Sequence, residues 1–155
     1  GNSGGGCSLQ YMAAQQPELL EAIILESCAA YFPKHTATAL LASVDQDDAD
    51  LEPRRHRHLQ GISQIRALIN QMPKIVEDYN AQPPDLSKIT AQTLIIHGDR
   101  DELSYVSMPF EMYTSIANTH LWIVPNGSHR SFLGDPDKYA DMYIQTALEF
   151  LHDEW

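Results

Sequence analysis

Three short stretches of this sequence hold side chains that could do chemistry together. Gly1-Asn2-Ser3-Gly4-Gly5-Gly6 sets a serine among glycines. At a sharp turn from strand to helix, such a serine projects its hydroxyl clear of the backbone, and flanking glycines let the chain close around it. The N–H of Gly4, the residue after the serine, would face an oxyanion formed there, and the N-terminus of the following helix favours negative charge. Gly98-Asp99-Arg100-Asp101-Glu102 supplies carboxylates, and Gly127-Ser128-His129 supplies an imidazole. A free hydroxyl is a weak nucleophile, so a base must take its proton. His129 suits that task, first as base and later as the acid that protonates a leaving group. A carboxylate behind it would fix its tautomer and stabilise the imidazolium. Together these groups would transfer an acyl group.

The elements between them must deliver all three to one place. Cys7 to Gln16 reads as a helix, with Leu9, Met12 and Ala13 at helical spacing and Pro17 closing it. Ala22-Ile23-Ile24-Leu25-Glu26 and Thr93-Leu94-Ile95-Ile96-His97 are short, nearly continuous apolar runs, as buried parallel strands require. Leu121-Trp122-Ile123-Val124 is a third strand, ended by Pro125-Asn126-Gly127. A helix over Pro109–Ala117 offers Phe110, Met112, Tyr113 and Ile116. A closing helix, with Asp135 as N-cap and Pro136 first, carries Tyr139, Met142, Tyr143, Ala147, Phe150 and Leu151 on one face. Strand–helix repetition of this kind predicts an α/β fold with a parallel sheet. Ligands of such sheets bind beyond the carboxyl ends of the strands, where the serine, acid and histidine stretches all fall.

The segment between Ser27 and Ser87 breaks the alternation and reads as a largely helical insertion, with its best boundary at Gln82–Ser87. Thr36–Ser43 is a short helix candidate. The acidic stretch Asp45–Asp50 reads as an exposed loop, and Arg54-Arg55-His56-Arg57-His58 as a solvated basic face. Ile62, Ile65, Leu68, Ile69 and Met72 form a helical stripe that either holds the insertion onto the main domain or lines a pocket. His35, His56 and His58 fix no metal-ligand geometry.

The chain has 155 residues, enough for a sizeable core, and 43% of them are hydrophobic, as in ordinary globular proteins. A formal net charge of −11 repels phosphate backbones and anionic lipid, which argues against nucleic-acid and membrane-surface roles. Two cysteines, Cys7 and Cys28, make no disulfide framework and read as small buried residues. They suit a reducing, cytoplasmic location.

Taken together, the three stretches give the chain a specific likeness: it resembles the C-terminal part of an α/β-hydrolase over essentially all of its length. Its opening matches the G-x-S-x-G turn on which that family mounts its nucleophile, and the order Ser, Asp, His is the family's own. Thr93–Asp101 resembles the family's seventh strand and acid loop, and Leu121–His129 its eighth strand and histidine loop. The resemblance implies a partial α/β-hydrolase fold: parallel strands six to eight, flanking helices and a helical cap. Residues 1–27 would belong to the core, 28–87 to the cap and 88–155 to the rest of the core. It implies Ser3 as nucleophile, His129 as base and Gly4 N–H as one oxyanion donor. It selects Asp101 over Asp99 as the acid, because the family acid matches the last position of Gly-x-x-Asp; Glu102 is then a solvated neighbour. It implies no cofactor and no metal. The default substrate is a small carboxylic ester. The alternatives are hydrolysis of a carbon–carbon bond in a dicarbonyl compound, and a non-catalytic binding protein or relic on the same fold. Serine at the turn argues against the family branches that use aspartate there, the haloalkane dehalogenases and epoxide hydrolases. The chain opens at the motif itself, so we expect a longer protein whose second oxyanion donor precedes Gly1. We expect the isolated chain to be inactive and prone to association through an unpaired strand edge.

Overall fold

The structure is a computed structural model that describes residues 1–129 and 136–154. Its elements run α1 (Gly4–Gln15), β1 (Ala22–Glu26), α2 (Lys34–Leu41), α3 (Asp48–Leu51), α4 (Ile62–Asn70), α5 (Met72–Ala81), β2 (Gln92–Gly98), α6 (Ser107–Ser115), β3 (Thr119–Val124) and α7 (Pro136–Leu151), with short 3-10 helices between some of them. The chain forms two compact units. Gly1–Ala30 with Pro84–Trp155 make one, and Tyr31–Pro83 the other.

The first unit is built on a parallel sheet of order β1-β2-β3. Its central strand, β2, is flanked on both edges, and every residue from Thr93 to Gly98 is buried. A strand so enclosed must be apolar on both faces, which is why Thr93–Ile96 shows no alternation with polar residues. Leu94 and Ile96 join Val124 and Phe150 in a core against which Ile24, Trp122, Tyr139 and Tyr143 pack, so α7 covers this face. Helices α1 and α6 lie against the strands as well, α1 on β1 and α6 on β2 and β3. Cys7 and Cys28 are buried and form no disulfide, as their types implied. No helix among the described residues is long and apolar enough to cross a membrane.

The outer edge of β1 is partly occupied by the start of the chain. Asn2 pairs with Glu26 in a parallel bridge. The Glu26 N–H donates to the Gly1 carbonyl at 2.9 Å, and the Ser3 N–H donates to the Glu26 carbonyl at 2.9 Å. These bonds put Ser3 at the carboxyl end of the sheet.

Several elements depart from their sequence-derived outlines. Helix α1 starts at Gly4 rather than Cys7, because the turn runs straight into it. Helix α6 starts at Ser107, with Pro109 in its first turn, where a missing N–H costs nothing. Its buried face is Met108, Met112 and Ile116, spaced by four, which rotates Phe110 and Tyr113 into solvent. Met142 and Leu151 of α7 are half exposed for a related reason: they lie at the margins of a stripe centred on Tyr143 and Phe150. Pro136 is the first residue of α7. Asp135, expected as its cap, lies outside the described residues.

The second unit is helical. Leu51, Ile65 and Ile69 form its core with Val44 and Ile62. Leu68, counted in the expected stripe, is exposed, and Met72 begins α5 instead of ending α4. The acidic stretch is not simply a loop. Asp47 accepts the Asp50 N–H while the Asp50 carboxylate accepts the Asp47 N–H, a reciprocal cap that starts α3. Phe32 stacks on Tyr79 with ring centroids 4.6 Å apart, and its backbone is bound at both ends by the Asn80 amide.

Candidate active site

Ser3 sits in the left-handed region at φ 48°, a conformation that an L side chain adopts only when its surroundings impose it. Those surroundings are the bond to β1 and the helix that begins one residue later. The N–H groups of Gly5 and Gly6 turn back to the Asn2 carbonyl, and that of Cys7 bonds Ser3. The Gly4 N–H is left with no backbone acceptor among the described residues. A Cβ on Gly6 would press into the Cys28 side chain and the Gly1 carbonyl, whereas one on Gly5 would meet open space. The close approaches that demand glycine are therefore at Gly1, where a Cβ would meet the Gly5 backbone, and at Gly6, one residue beyond the motif's last glycine.

The other two stretches are joined through their backbones. The Arg100 N–H donates to the Gly127 carbonyl at 2.8 Å, and the Asp99 N–H to the Val124 carbonyl at 3.2 Å. Gly98 passes so close beneath that a Cβ there would overlap the Gly127 carbonyl group. Asn126 takes the tight corner at φ 60°, where asparagine is well tolerated.

This framework brings together residues 126 positions apart. Ser3 Oγ lies 3.0 Å from His129 Nε2. On the far side of the ring, Nδ1 lies 2.9 Å from Asp101 Oδ2 and 3.1 Å from Oδ1. An ionised carboxylate only accepts, so Nδ1 carries the proton and Nε2 is free to accept from the serine hydroxyl. Asp101 is 5% exposed. Burial alone would raise its pKa, but the bond from His129 and the N–H groups of Ser104 and Leu103, at 2.9 and 2.8 Å, hold it below its ordinary value. Asp99 stays outside this array, 3.9 Å from the Arg100 guanidinium. Glu102 is exposed, and its carboxylate accepts the His129 N–H at 3.4 Å. No group of three or more His, Cys, Asp or Glu side chains able to hold a metal occurs among the described residues.

Two buried ionisable residues border the array that the sequence reading left without a role. His97 is wholly buried, with Nε2 at 2.7 Å from the Ser104 carbonyl and 3.4 Å from Asp101 Oδ2. Burial lowers its pKa, which favours the neutral ring. Glu26 ends β1, flanked by its backbone bonds to Gly1 and Ser3; burial pushes its carboxyl up to about 7, against a bond from Asn2 and the pull of the His129 ring. Both carried the same signal in the sequence: a titratable residue closing an otherwise apolar strand.

No protein-family model and no curated protein matches this sequence. Solved structures do match the fold. The enol-lactonase of Burkholderia xenovorans LB400 is 20% identical at a TM-score of 0.69, the match covering 98% of this chain and 64% of that one. A variant of the meta-cleavage product hydrolase of Pseudomonas fluorescens IP01 is 16% identical at a TM-score of 0.66, over 100% and 64%. A serine hydrolase involved in carbazole degradation is 22% identical at 0.68, over 98% and 62%. The chain thus spans a little under two thirds of the length of each. Its parallel strands, the helices between them and this shared architecture show that the chain has an α/β-hydrolase fold.

Proposed function

We propose that the chain carries the reacting groups of a serine hydrolase that cleaves a small carboxylic ester through an acyl-enzyme. The observation that supports this most is the continuous path from Ser3 Oγ through the His129 ring to Asp101, at 3.0 and 2.9 Å. In the first step Ser3 Oγ attacks the ester carbonyl carbon while His129 Nε2 takes its proton. The carbonyl oxygen becomes an oxyanion, towards which the Gly4 N–H is the candidate donor. When the tetrahedral species collapses, the ester C–O bond breaks and the imidazolium returns the proton to the departing alcohol. Water then attacks the acyl group, gives its proton to His129, and the acid leaves as Ser3 is re-protonated. Asp101 remains ionised throughout, holding the tautomer and the charge of the ring. The helical unit Tyr31–Pro83, inserted between β1 and β2, is the candidate cap. The enol-lactonase among the similar structures is in keeping with an ester or lactone. The likeness to a meta-cleavage product hydrolase favours a second reading, in which the same groups cleave a carbon–carbon bond; product analysis on an ester and on a dicarbonyl substrate separates the two.

The direct test is a fluorophosphonate probe, which loses fluoride as it bonds to an activated serine, applied to the longer protein that carries this chain. Mass spectrometry should place the adduct on Ser3, and Ser3→Ala should abolish it. A folded longer protein, judged by its far-ultraviolet dichroism, that takes up no probe at Ser3 would sink the proposal.

A further inference from the structure

We infer that His97 is a positioning residue of this site: its Nε2–H grips the Ser104 carbonyl and thereby locks the turn that holds Asp101 against His129. The chain of contacts is closed and short. His97 Nε2 lies 2.7 Å from the Ser104 carbonyl oxygen. The same Ser104 residue donates its N–H to Asp101 Oδ1 at 2.9 Å, with Leu103 beside it at 2.8 Å. Asp101 Oδ2 accepts from His129 Nδ1 at 2.9 Å. A carbonyl oxygen cannot donate, so the bond to Ser104 requires the proton of His97 on Nε2. The 3.4 Å approach of that atom to Asp101 Oδ2 is then a secondary contact, which closes the remaining open side of the carboxylate. His97 Nδ1 is left as a bare lone pair with no hydrogen-bond partner among the described residues.

That orphaned nitrogen makes sense of the choice of residue. A second proton on His97 would have to sit on Nδ1, in a fully buried position with nothing to receive it. The ring is thereby confined to one neutral tautomer, and burial pushes in the same direction. A cationic ring here would compete with His129 for Asp101. A neutral one gives a directional donor and leaves the carboxylate's charge to His129. The fold also supplies rigidity: His97 belongs to the central strand, paired in register with Ile123 of β3, so its ring is anchored to the best-packed element of the sheet. Asp101 itself stands in a loop and needs such an anchor.

The inference rests on the proposed serine-hydrolase reading for its meaning at Ser3, but its geometry can be tested separately. The longer protein that carries this chain, labelled with 15N-histidine, would be prepared as wild type, His97→Gln, His97→Asn and His97→Leu. Two readouts are followed: the far-downfield resonance of His129 Nδ1–H bonded to a buried carboxylate, and the rate of fluorophosphonate uptake at Ser3. Glutamine carries its amide nitrogen the same number of bonds from Cβ as His97 Nε2, whereas the asparagine amide falls short. His97→Gln should therefore keep the resonance and react within about threefold of wild type. His97→Asn and His97→Leu should broaden or lose the resonance and react about 10–100-fold more slowly, the usual scale for a partner that orients a functional ligand. Unchanged resonance and rate in the folded asparagine and leucine variants would overturn the inference, as would a glutamine variant no better than asparagine. If leucine prevents folding, the glutamine–asparagine pair decides alone. If the wild-type chain shows the resonance but takes up no probe, the hydrolase reading fails while the role of His97 is still judged by the resonance. A wild-type chain without the resonance overturns the positioning scheme.

Discussion

Two carboxyl groups at the carboxyl edge of this sheet show how neighbours, not burial, decide the fate of a buried acid. Asp101 and Glu26 are both almost removed from solvent, at 5% and 6% exposure. Asp101 meets two N–H groups and an imidazole N–H, and its pKa falls. Glu26 has one buried oxygen, Oε1, with no partner among the described residues, and its pKa rises to about 7 from 4.5. The sign of the consequence is fixed by linkage. Between about 4.5 and 7 the folded chain holds a proton on Glu26 that the unfolded chain has released, so this group's contribution falls as pH rises through that window. Glu26→Gln removes the ionisation while keeping the shape and an acceptor for Asn2. The variant should match wild type below pH 4.5 and exceed it at pH 8 by something on the order of 3 kcal/mol, read from urea melts at the two pH values. Equal stability of the two proteins at pH 8 would show that Glu26 ionises freely and is not held in a dry environment.

At the level of strands and loops, the site depends on how closely two connections can pass. Gly98 leaves β2 directly against the backbone of Gly127 and Ser128, and the Arg100–Gly127 bond ties the two loops together just beyond. A methyl group on Gly98 has no flexible side chain to displace, only backbone. Gly98→Ala should therefore cost at least the 1–3 kcal/mol typical of overpacking, and should slow Ser3 labelling far more than a surface substitution of equal destabilisation, because it separates Asp101 from His129. Comparing its labelling rate with that of a distant variant of matched melting temperature checks this. The strands were readable beforehand because enclosed strands must be continuously apolar: Ala22–Glu26, Thr93–His97 and Leu121–Val124 announce themselves, and Gly98 and Gly127 end two of them. Ser3, Asp101 and His129 stood out as candidates because their types and order match the α/β-hydrolase resemblance, and it was that resemblance, not spacing, that favoured Asp101 over Asp99. What stayed hidden depends on side-chain direction. Nothing in the spacing says that Phe110 and Tyr113 face water while Met108 is buried, or that Asp47 and Asp50 cap each other. His97 and Glu26 looked like strand residues, since only the folded chain reveals what their polar atoms touch.

Across the whole chain, stability is unevenly spread. The first unit has a sheet with fully buried Leu25, Leu94, Ile95 and Ile96, whereas Tyr31–Pro83 buries the smaller set Leu51, Ile65, Ile69, Val76 and Tyr79. Local opening costs least where few apolar groups are buried. Amide exchange followed by mass spectrometry should accordingly find β2 slowest and α3 to α5 exchanging well before it. Protection of α4 equal to that of β2 would mean that the two units open only together.

The distance along the chain between Ser3 and His129 also has a consequence in time. Contacts spanning 126 residues form late, after loops of that length have closed. Until then the serine is an ordinary alcohol. As the chain leaves the ribosome Ser3 emerges before His129, and under the proposed chemistry it gains its base only when β3 has docked. Under the proposed chemistry, a half-made or misfolded chain would carry no loose nucleophile, and recovery of Ser3 reactivity during refolding would mark the moment at which the first unit is complete.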